Sequence, residues 1–234
     1  MGIDEVCNIL LEGARRGGPR EQLADAPDCL DRVHAYACSK GALPEALTEY
    51  VREALAPDML EQLPSFGLQL ICFLKRITTF LGKSTELEEA ASRARAELLR
   101  RHISAVAKSC DPTRLSDRQK VSLRQFHRWL TSPGTPADKS TAQVFASGPL
   151  ADVVAVATEA EGVERCPICE DAVFLRELSH GVCGQSHRFG RCMNSLLVCD
   201  SVPPRRCTTC DTFAHRTPIW PGDTCCLYCG KGLT

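Results

Sequence analysis

The chain has 234 residues and a formal net charge of −1 at pH 7, with 28 Lys and Arg against 29 Asp and Glu. This balance does not favour a protein that grips nucleic acid by its phosphates, because each neutralised phosphate needs a cationic side chain. The sequence shows no N-terminal apolar leader and no run of about 18 apolar residues, so we expect neither secretion nor insertion into a membrane.

Residues 1–131 carry apolar side chains three and four positions apart, which is the spacing of one face of a helix. The stretch "SFGLQLICFLKRITTFLG" is apolar on most sides, as a central helix surrounded by others would be. Capping boxes, in which side chains satisfy the backbone N–H groups of the first turn, mark two helix starts. They pair Thr85 with Glu88 and Ser116 with Gln119. We predict an all-helical domain over 1–131.

The helical pattern breaks in "TSPGTPADKSTAQVFASGPL", which contains three prolines and two glycines. Pro and Gly in this density are typical of loops, so residues 132–162 are predicted to be a linker. A short helix around "LADVVAVATEAEG" is expected within it, leading into a third part at 163–234.

The fifteen cysteines are unevenly placed along the chain. Five are scattered over the first 165 residues, and the other ten lie in the last 69. Without a route to an oxidising compartment we expect these cysteines to stay reduced, and their odd total suits a complete disulfide framework poorly. The five early ones show no ligand spacing and are expected to be small buried apolar side chains.

Three C-x-x-C pairs stand in the cysteine-rich part, "CPIC", "CTTC" and "CLYC", and the stretch "VCGQSHRFGRC" lies between the first two. A C-x-x-C turn lets two thiolates reach one ion, and Zn²⁺ takes four nitrogen or sulfur ligands in a tetrahedron. Three pairs within 64 residues are a strong signal for metal. The nine candidate ligands suffice for two Zn²⁺ ions with one group spare: Cys166, Cys169, Cys183, His187, Cys192, Cys207, Cys210, Cys226 and Cys229.

The spacing leaves the pairing of these ligands open. In a cross-brace, the first two pairs would share one ion, and the last pair would share the other with Cys183 and either His187 or Cys192. In a sequential arrangement, the last two pairs would form a site by themselves. Cys225 could replace its neighbour Cys226 as a ligand, whereas Cys199 and His215 are expected to be structural or exposed.

The cysteine-rich part has few large apolar side chains, so packing alone would not hold it together. Structural zinc contributes about 10–16 kcal/mol in small metal-dependent domains. The sequence predicts a closed site, with no water-bearing fourth position and no adjacent Glu poised as a base, which favours structural over catalytic metal. We expect Phe189 to fill the space between the sites and "RCMNSLL" to form a short helix. The predicted fold class is mainly α, a helical bundle or array followed by a small zinc-bound α+β module of RING-like, treble-clef or ribbon type.

The series "CPIC … VCGQSHRFGRC … RRCTTC … CLYC" resembles the C-terminal zinc finger of transcription factor IIIC subunits. That finger has a C-x-x-C, a C-x-x-G-H-x-W-x-R-C box, an R-x-C-x-x-C and a last knuckle. Cys183, His187, Arg191 and Cys192 fall on the box, and Arg206 with Cys207 to Cys210 fall on the following pair. The sequence departs from the box in two ways: Gly184 is separated from His187 by two residues, and Phe189 stands where tryptophan is usual.

The resemblance implies a non-catalytic assembly subunit of the general transcription factor IIIC, which serves genes transcribed by RNA polymerase III. Such a protein would be nuclear and would contact other subunits of the complex, with no membrane and no small-molecule substrate. In the WD-repeat subunit of the family a helical segment precedes the finger, which residues 1–131 would suit. No β-propeller precedes it here, so we expect a fragment or a shortened form of that subunit.

Three alternatives accompany this interpretation. "CPICED" opens like a RING-type ubiquitin ligase with Ile168 at the enzyme-contacting position, but nineteen residues separate His187 from the next pair, and "CLYC" lacks the usual proline. The family's WD-repeat subunit has been assigned histone acetyltransferase activity, yet "RRGGPR" does not fit a coenzyme A loop. DNA contact by a local basic edge is weakly supported. That edge would comprise Arg188, Arg191, Arg205 and Arg206.

Overall fold

The computed structural model of the protein describes residues 1–17, 27–56, 58–79, 81, 84–132, 143, 145, 150–155, 164–175, 178–199, 204–207, 210, 212–221, 225–230 and 233. Its contacts divide the chain into two compact units. The first is Met1–Leu98 with Tyr228–Lys231, and the second is Leu99–Leu227 with Gly232–Thr234. Among the described residues, no helix combines the length and apolar character needed to cross a bilayer.

Helices build the first unit. They are α1 (Ile3–Arg16), α2 (Pro27–Lys40), α3 (Glu45–Ala54), α4 (Met59–Gln62), α5 (Ser65–Ile77) and the part of α6 (Thr85–Ser109) that ends at Leu98. α1 contacts α2, α3 and α5. The Arg15 guanidinium of α1 also forms an exposed ion pair with Glu53 of α3 at 2.9 Å.

Helix α5 is extensively buried, as its sequence, apolar on most sides, predicts. Leu68, Ile71 and Leu74 are fully buried, and Leu70, Cys72, Phe73 and Ile77 are buried as well. Gly67 allows α5 to approach α1 closely, because a Cβ atom there would lie 2.7 Å from the carbonyl oxygen of Ala14. Any larger residue would push the two helices apart.

The second unit begins with the remainder of α6 and continues through a 3₁₀ turn (Pro112–Arg114), α7 (Asp117–Thr131) and α8 (Ala151–Ala155). The capping box at the start of α7 is confirmed, since the Ser116 and Gln119 side chains each bind the other's backbone N–H. The capping box predicted at Thr85 is wrong, because the side chain that caps this helix belongs to the preceding residue, Ser84. Ser84 accepts the Leu87 N–H at 3.3 Å, so Thr85 is already the first helical residue.

Six short strands follow in the described part of the chain. β1 (Glu164–Arg165), β2 (Ala172–Phe174), β3 (His180–Cys183) and β4 (Arg188–Gly190) form one antiparallel sheet in chain order, and β5 (Arg205–Arg206) pairs with β6 (Phe213–Ala214). The register aligns Glu164 with Val173 and Val173 with Cys183. The predicted fold class is confirmed as a mainly helical chain followed by a small strand-containing region with cysteine groups.

The short helix predicted over "RCMNSLL" is wrong. Arg191 bridges Val198, and the Cys192 N–H donates to the Leu197 carbonyl at 2.8 Å, so the segment closes a tight loop. Leu196 adopts a positive φ of 57°, which no α-helix tolerates. The parallel bridge between Cys192 and Phe213 is a pairing distant in sequence, and it overrides a weak local helical pattern.

Most of the predicted linker at 132–162 lies outside the described residues. The short helix expected there is present as α8, which contacts α7. The domain boundaries at 131 and 163 stay predictions. The second unit nevertheless contains both α7 and the strands, so these two parts of the chain pack as one body.

Direct hydrogen bonds join the helices of the second unit to its cysteine-rich loops. The His102 Nε2 atom of α6 lies 2.7 Å from the Asn194 carbonyl oxygen, and the Ser122 hydroxyl of α7 donates to the Ser195 carbonyl at 2.8 Å. The indole N–H of Trp220 donates to the Ser122 hydroxyl at 3.0 Å, and its ring stacks on Phe126. The loops are therefore held in place by the helices as well as by each other.

Candidate metal centres

The first candidate site lies on two turns of the four-stranded sheet. Cys166 and Cys169 occupy the turn between β1 and β2, which is closed by the Glu170 N–H donating to the Cys166 carbonyl at 2.9 Å. Cys183 ends β3, and His187 stands just ahead of β4. The sheet register therefore brings two pairs that are distant in sequence to the same end of the sheet.

The ligand atoms of this first group lie at distances that suit one tetrahedral ion. The Cys169 and Cys183 sulfurs are 3.7 Å apart, and His187 Nδ1 lies 3.6 Å from the Cys166 sulfur and 3.5 Å from the Cys183 sulfur. Zn–S bonds of about 2.3 Å and Zn–N bonds of about 2.0–2.1 Å give tetrahedral edges of about 3.8 Å for S···S and about 3.6 Å for S···N. A disulfide bond has a sulfur–sulfur distance of about 2.05 Å, so these cysteines are not bonded to one another and all are free.

The second candidate site comprises Cys207, Cys210, Cys226 and Cys229, all of them buried. Cys207 and Cys210 lie on the turn between β5 and β6, and the Cys207 N–H donates to the Thr212 carbonyl at 2.9 Å. The Cys210 and Cys226 sulfurs are 3.1 Å apart. In each group the four ligand atoms lie within 4.8 Å of one another, so each could hold one metal ion.

The grouping is sequential, so eight of the nine predicted ligands fall into two groups of four. Cys192 is the ninth, and in the described chain it belongs to neither group. Desolvation by burial raises the pKa of the Cys192 thiol, although hydrogen bonds from Ser195 and from the His215 N–H act in the opposite direction.

The remaining cysteines and His215 lie outside the groups. Cys225 is exposed, whereas its neighbour Cys226 is buried within the second group. Cys199 and His215 are buried. Of the five early cysteines, Cys7, Cys29 and Cys72 are buried as predicted, and Cys110 is half-buried. The expectation of burial is wrong for Cys38, which lies on an exposed face of α2.

Sulfur protonation differs within the first group. Desolvation opposes ionisation of Cys166, but the Cys169 and Ile168 backbone N–H groups donate to its sulfur, and the pKa is lowered to about 6. The Asp171 N–H lowers the pKa of Cys169, but desolvation and hydrogen bonds with the Cys166 and Cys183 sulfurs outweigh it and raise the pKa to about 11. A bound cation would therefore have to displace protons, which makes metal binding dependent on pH.

Beneath the first group lies a buried ion pair that the sequence pattern does not reveal. The Arg191 guanidinium donates to the Glu164 carboxylate and to the Leu196 carbonyl, and Arg191 is only 1% exposed. Glu164 also accepts the Val198 N–H at 2.5 Å, and Val198 packs against Cys166 and Cys183. Desolvation raises the pKa of Glu164, while the adjacent Arg191 charge lowers it. Glu164 is a support of the site that sequence reasoning missed.

Phe189 packs against the cluster of Cys166, Val173, Cys183 and Val198, beside the first group. It thus closes one side of that group with an aromatic ring. A tetrahedral ion held by four protein side chains has no open position for water or substrate. Both groups therefore suit structural rather than catalytic metal.

Short hairpins that present closed sets of four sulfur or nitrogen ligands define a small metal-supported module of the zinc-finger class. Residues 149–218 match the family described as "putative zinc-finger of transcription factor IIIC complex". The match spans the first group and the Cys207–Cys210 pair, and it ends before Cys226 and Cys229. The resemblance seen in the sequence is confirmed to this extent, and identity with the WD-repeat subunit stays a prediction. No curated protein matches the chain.

Proposed function

We propose that this chain is a non-catalytic assembly subunit associated with transcription factor IIIC, and that it acts in the nucleus through contacts with other subunits of the complex. The observation that supports this function best is the family match over residues 149–218, which contain a complete four-ligand group. In this proposal each group binds one Zn²⁺ ion, because three thiolates with one imidazole and four thiolates are both ligand sets of structural zinc.

The role of the metal in this proposal is to fix the shape of loops that cannot fold by packing alone. Asn194 and Ser195 lie on a loop between the two groups and accept hydrogen bonds from α6 and α7. The tip of the first knuckle presents Ile168, which is 66% exposed, and β3 presents Val182, which is 38% exposed. Apolar side chains held outward on a rigid module are suited to contact another protein.

Co-purification of the full chain with the subunits of transcription factor IIIC from the same organism tests this function. We expect the wild-type chain to assemble and the Cys166→Ser variant to lose assembly, because the first group would lack a ligand. Cys225→Ser is the matched control, since Cys225 is exposed and outside both groups. An unassembled wild-type chain, or full assembly of Cys166→Ser, would contradict the proposal.

DNA contact is a lesser part of the proposal. Arg191 is buried against Glu164 and cannot reach a phosphate, so the basic edge drawn from the sequence loses one of its four members. Arg188 and Arg206 are exposed. We expect duplex DNA to bind weakly, and a steep fall of affinity with salt would instead favour a phosphate-contacting role.

A RING-type ubiquitin ligase is the second candidate, and the exposed Ile168 at the knuckle tip is the observation that favours it. Our proposal predicts no discharge of ubiquitin from a charged conjugating enzyme by the zinc-loaded chain. Discharge that Ile168→Ala abolishes would instead establish the ligase function.

A further inference from the structure

Thr212 lies against the sulfurs of the second group. Its hydroxyl oxygen is 3.0 Å from the Cys210 sulfur and 3.6 Å from the Cys226 sulfur. The same oxygen lies 3.3 Å from the thioether sulfur of Met193, which in turn is 3.4 Å from the Cys226 sulfur. The backbone of Thr212 also binds the group, because its carbonyl accepts the Cys207 N–H at 2.9 Å.

The direction of the hydroxyl hydrogen bond follows from the chemistry of a metal-bound cysteine. A coordinated thiolate has no proton to give, so the Thr212 hydroxyl has to donate and the sulfur has to accept. Cys210 is at the shortest distance and is the natural acceptor. The thioether of Met193 is only a weak acceptor and competes poorly for that proton.

The two groups differ in how much they need such a donor. With a divalent ion, three thiolates and one neutral imidazole carry a net charge of about −1, whereas four thiolates carry about −2. All four cysteines of the second group are buried, so water cannot solvate the excess charge well. A hydrogen bond that a hydroxyl donates to one of these sulfurs stabilises the metal-bound form of the group.

We propose that Thr212 is a positioning residue that sets the metal affinity of the second group through its hydroxyl hydrogen bond to Cys210. This inference rests on the metal binding proposed above. Hydrogen-bond partners of metal ligands typically contribute 10–100-fold to affinity. Because Val has the shape of Thr without the hydroxyl, Thr212→Val removes the donor and leaves the backbone bond to Cys207 in place.

Cadmium NMR of the full-length chain loaded with Cd²⁺ tests the proposal, since a four-sulfur site and a three-sulfur, one-nitrogen site give separate resonances. Titration with a chelator then reports the affinity of each group in one sample. In Thr212→Val we expect the four-sulfur resonance to disappear at about tenfold less chelator than in the wild type. The resonance of the first group is the internal reference and stays unchanged.

Two further variants complete the experiment. Thr212→Ser keeps a hydroxyl at this position, so its four-sulfur resonance is expected to disappear at about the same chelator concentration as in the wild type. Thr217→Val is the matched control at an exposed threonine and is expected to change neither resonance. Unchanged chelator resistance in Thr212→Val, equal loss in Thr212→Ser, or loss of both resonances together would overturn the role of Thr212. Absence of both resonances in the wild type would contradict the metal binding itself.

Discussion

Burial decides the role of the Arg191 charge. The sequence places it in a basic edge, yet the structure buries it against Glu164 under the first ligand group. The C-x-x-C and C-x-x-x-H spacings, in contrast, are local, and eight of the nine candidate ligands that they indicate lie in the two groups that could each hold a metal ion. Cys192 lies outside both groups because the pairing of the strands decides which turns come together, so spacing alone could not reveal its exclusion.

Replacing Arg191 tests the buried ion pair. Arg191→Ala leaves the Glu164 carboxylate buried without its partner, which is expected to cost about 3–5 kcal/mol of unfolding free energy. The measurement is urea unfolding of the zinc-loaded protein. Arg188→Ala, at an exposed arginine, is the control and is expected to stay within about 0.5 kcal/mol of the wild type. Equal effects of the two substitutions would show that the ion pair does not stabilise the fold.

His102 predicts a pH dependence of stability. Desolvation lowers the pKa of His102 below its unfolded value, although its hydrogen bond to the Asn194 carbonyl acts in the opposite direction. The unfolded chain then binds more protons than the folded chain below about pH 6.5. The contribution of neutral His102 to the unfolding free energy is therefore complete above pH 6.5. It is lost as the pH falls from the unfolded pKa of about 6.5 to the lower pKa of the folded protein.

The difference in unfolding free energy between pH 7 and pH 5.5 is the readout for His102. We expect His102→Gln to lose less stability on acidification than the wild type, because glutamine does not titrate. Ligand protonation in the metal groups affects both proteins alike and cancels in the comparison. Parallel pH profiles of the two proteins would contradict this account of His102.

At the scale of elements, helices were predictable and short irregular segments were not. The burial of α5 follows from its apolar sequence, and the start of α7 follows from a capping box. The "RCMNSLL" segment fails as a helix because its partners, Val198 and Phe213, include one that is distant in the chain. The sequence could not predict which cysteine-bearing turns share an ion for the same reason, because the register of the sheet decides which turns lie close together.

The α7 cap is expected to matter beyond the helix itself. Gln119 belongs to the capping box, and its side-chain amide also donates to the Ile219 carbonyl at 3.0 Å. Ser116→Ala should lower the unfolding free energy by about 1 kcal/mol, as measured by chemical denaturation. Ser92→Ala, at an exposed position within α6, is the control and should change the unfolding free energy by less than about 0.5 kcal/mol. A loss of unfolding free energy in Ser116→Ala no larger than that in Ser92→Ala would rule out a stabilising cap.

For the whole molecule, the second unit combines helices with cysteine-rich loops. The helices contribute an apolar core of the ordinary kind, with Phe126 and Trp220 stacked inside it. The strands are two to four residues long, too short to fold by themselves. In our proposal metal coordination compensates for the small core, as the clustering of cysteines in the sequence predicts.

Metal content tests the central claim most directly. Elemental analysis of the purified full-length protein is predicted to give two zinc ions per chain. One ion should remain in Cys183→Ser and one in Cys207→Ser, whereas Cys192→Ser and Cys225→Ser should each retain two. A wild-type protein with fewer than two ions, or a Cys192→Ser variant that loses one, would contradict the assignment of two sequential four-ligand sites.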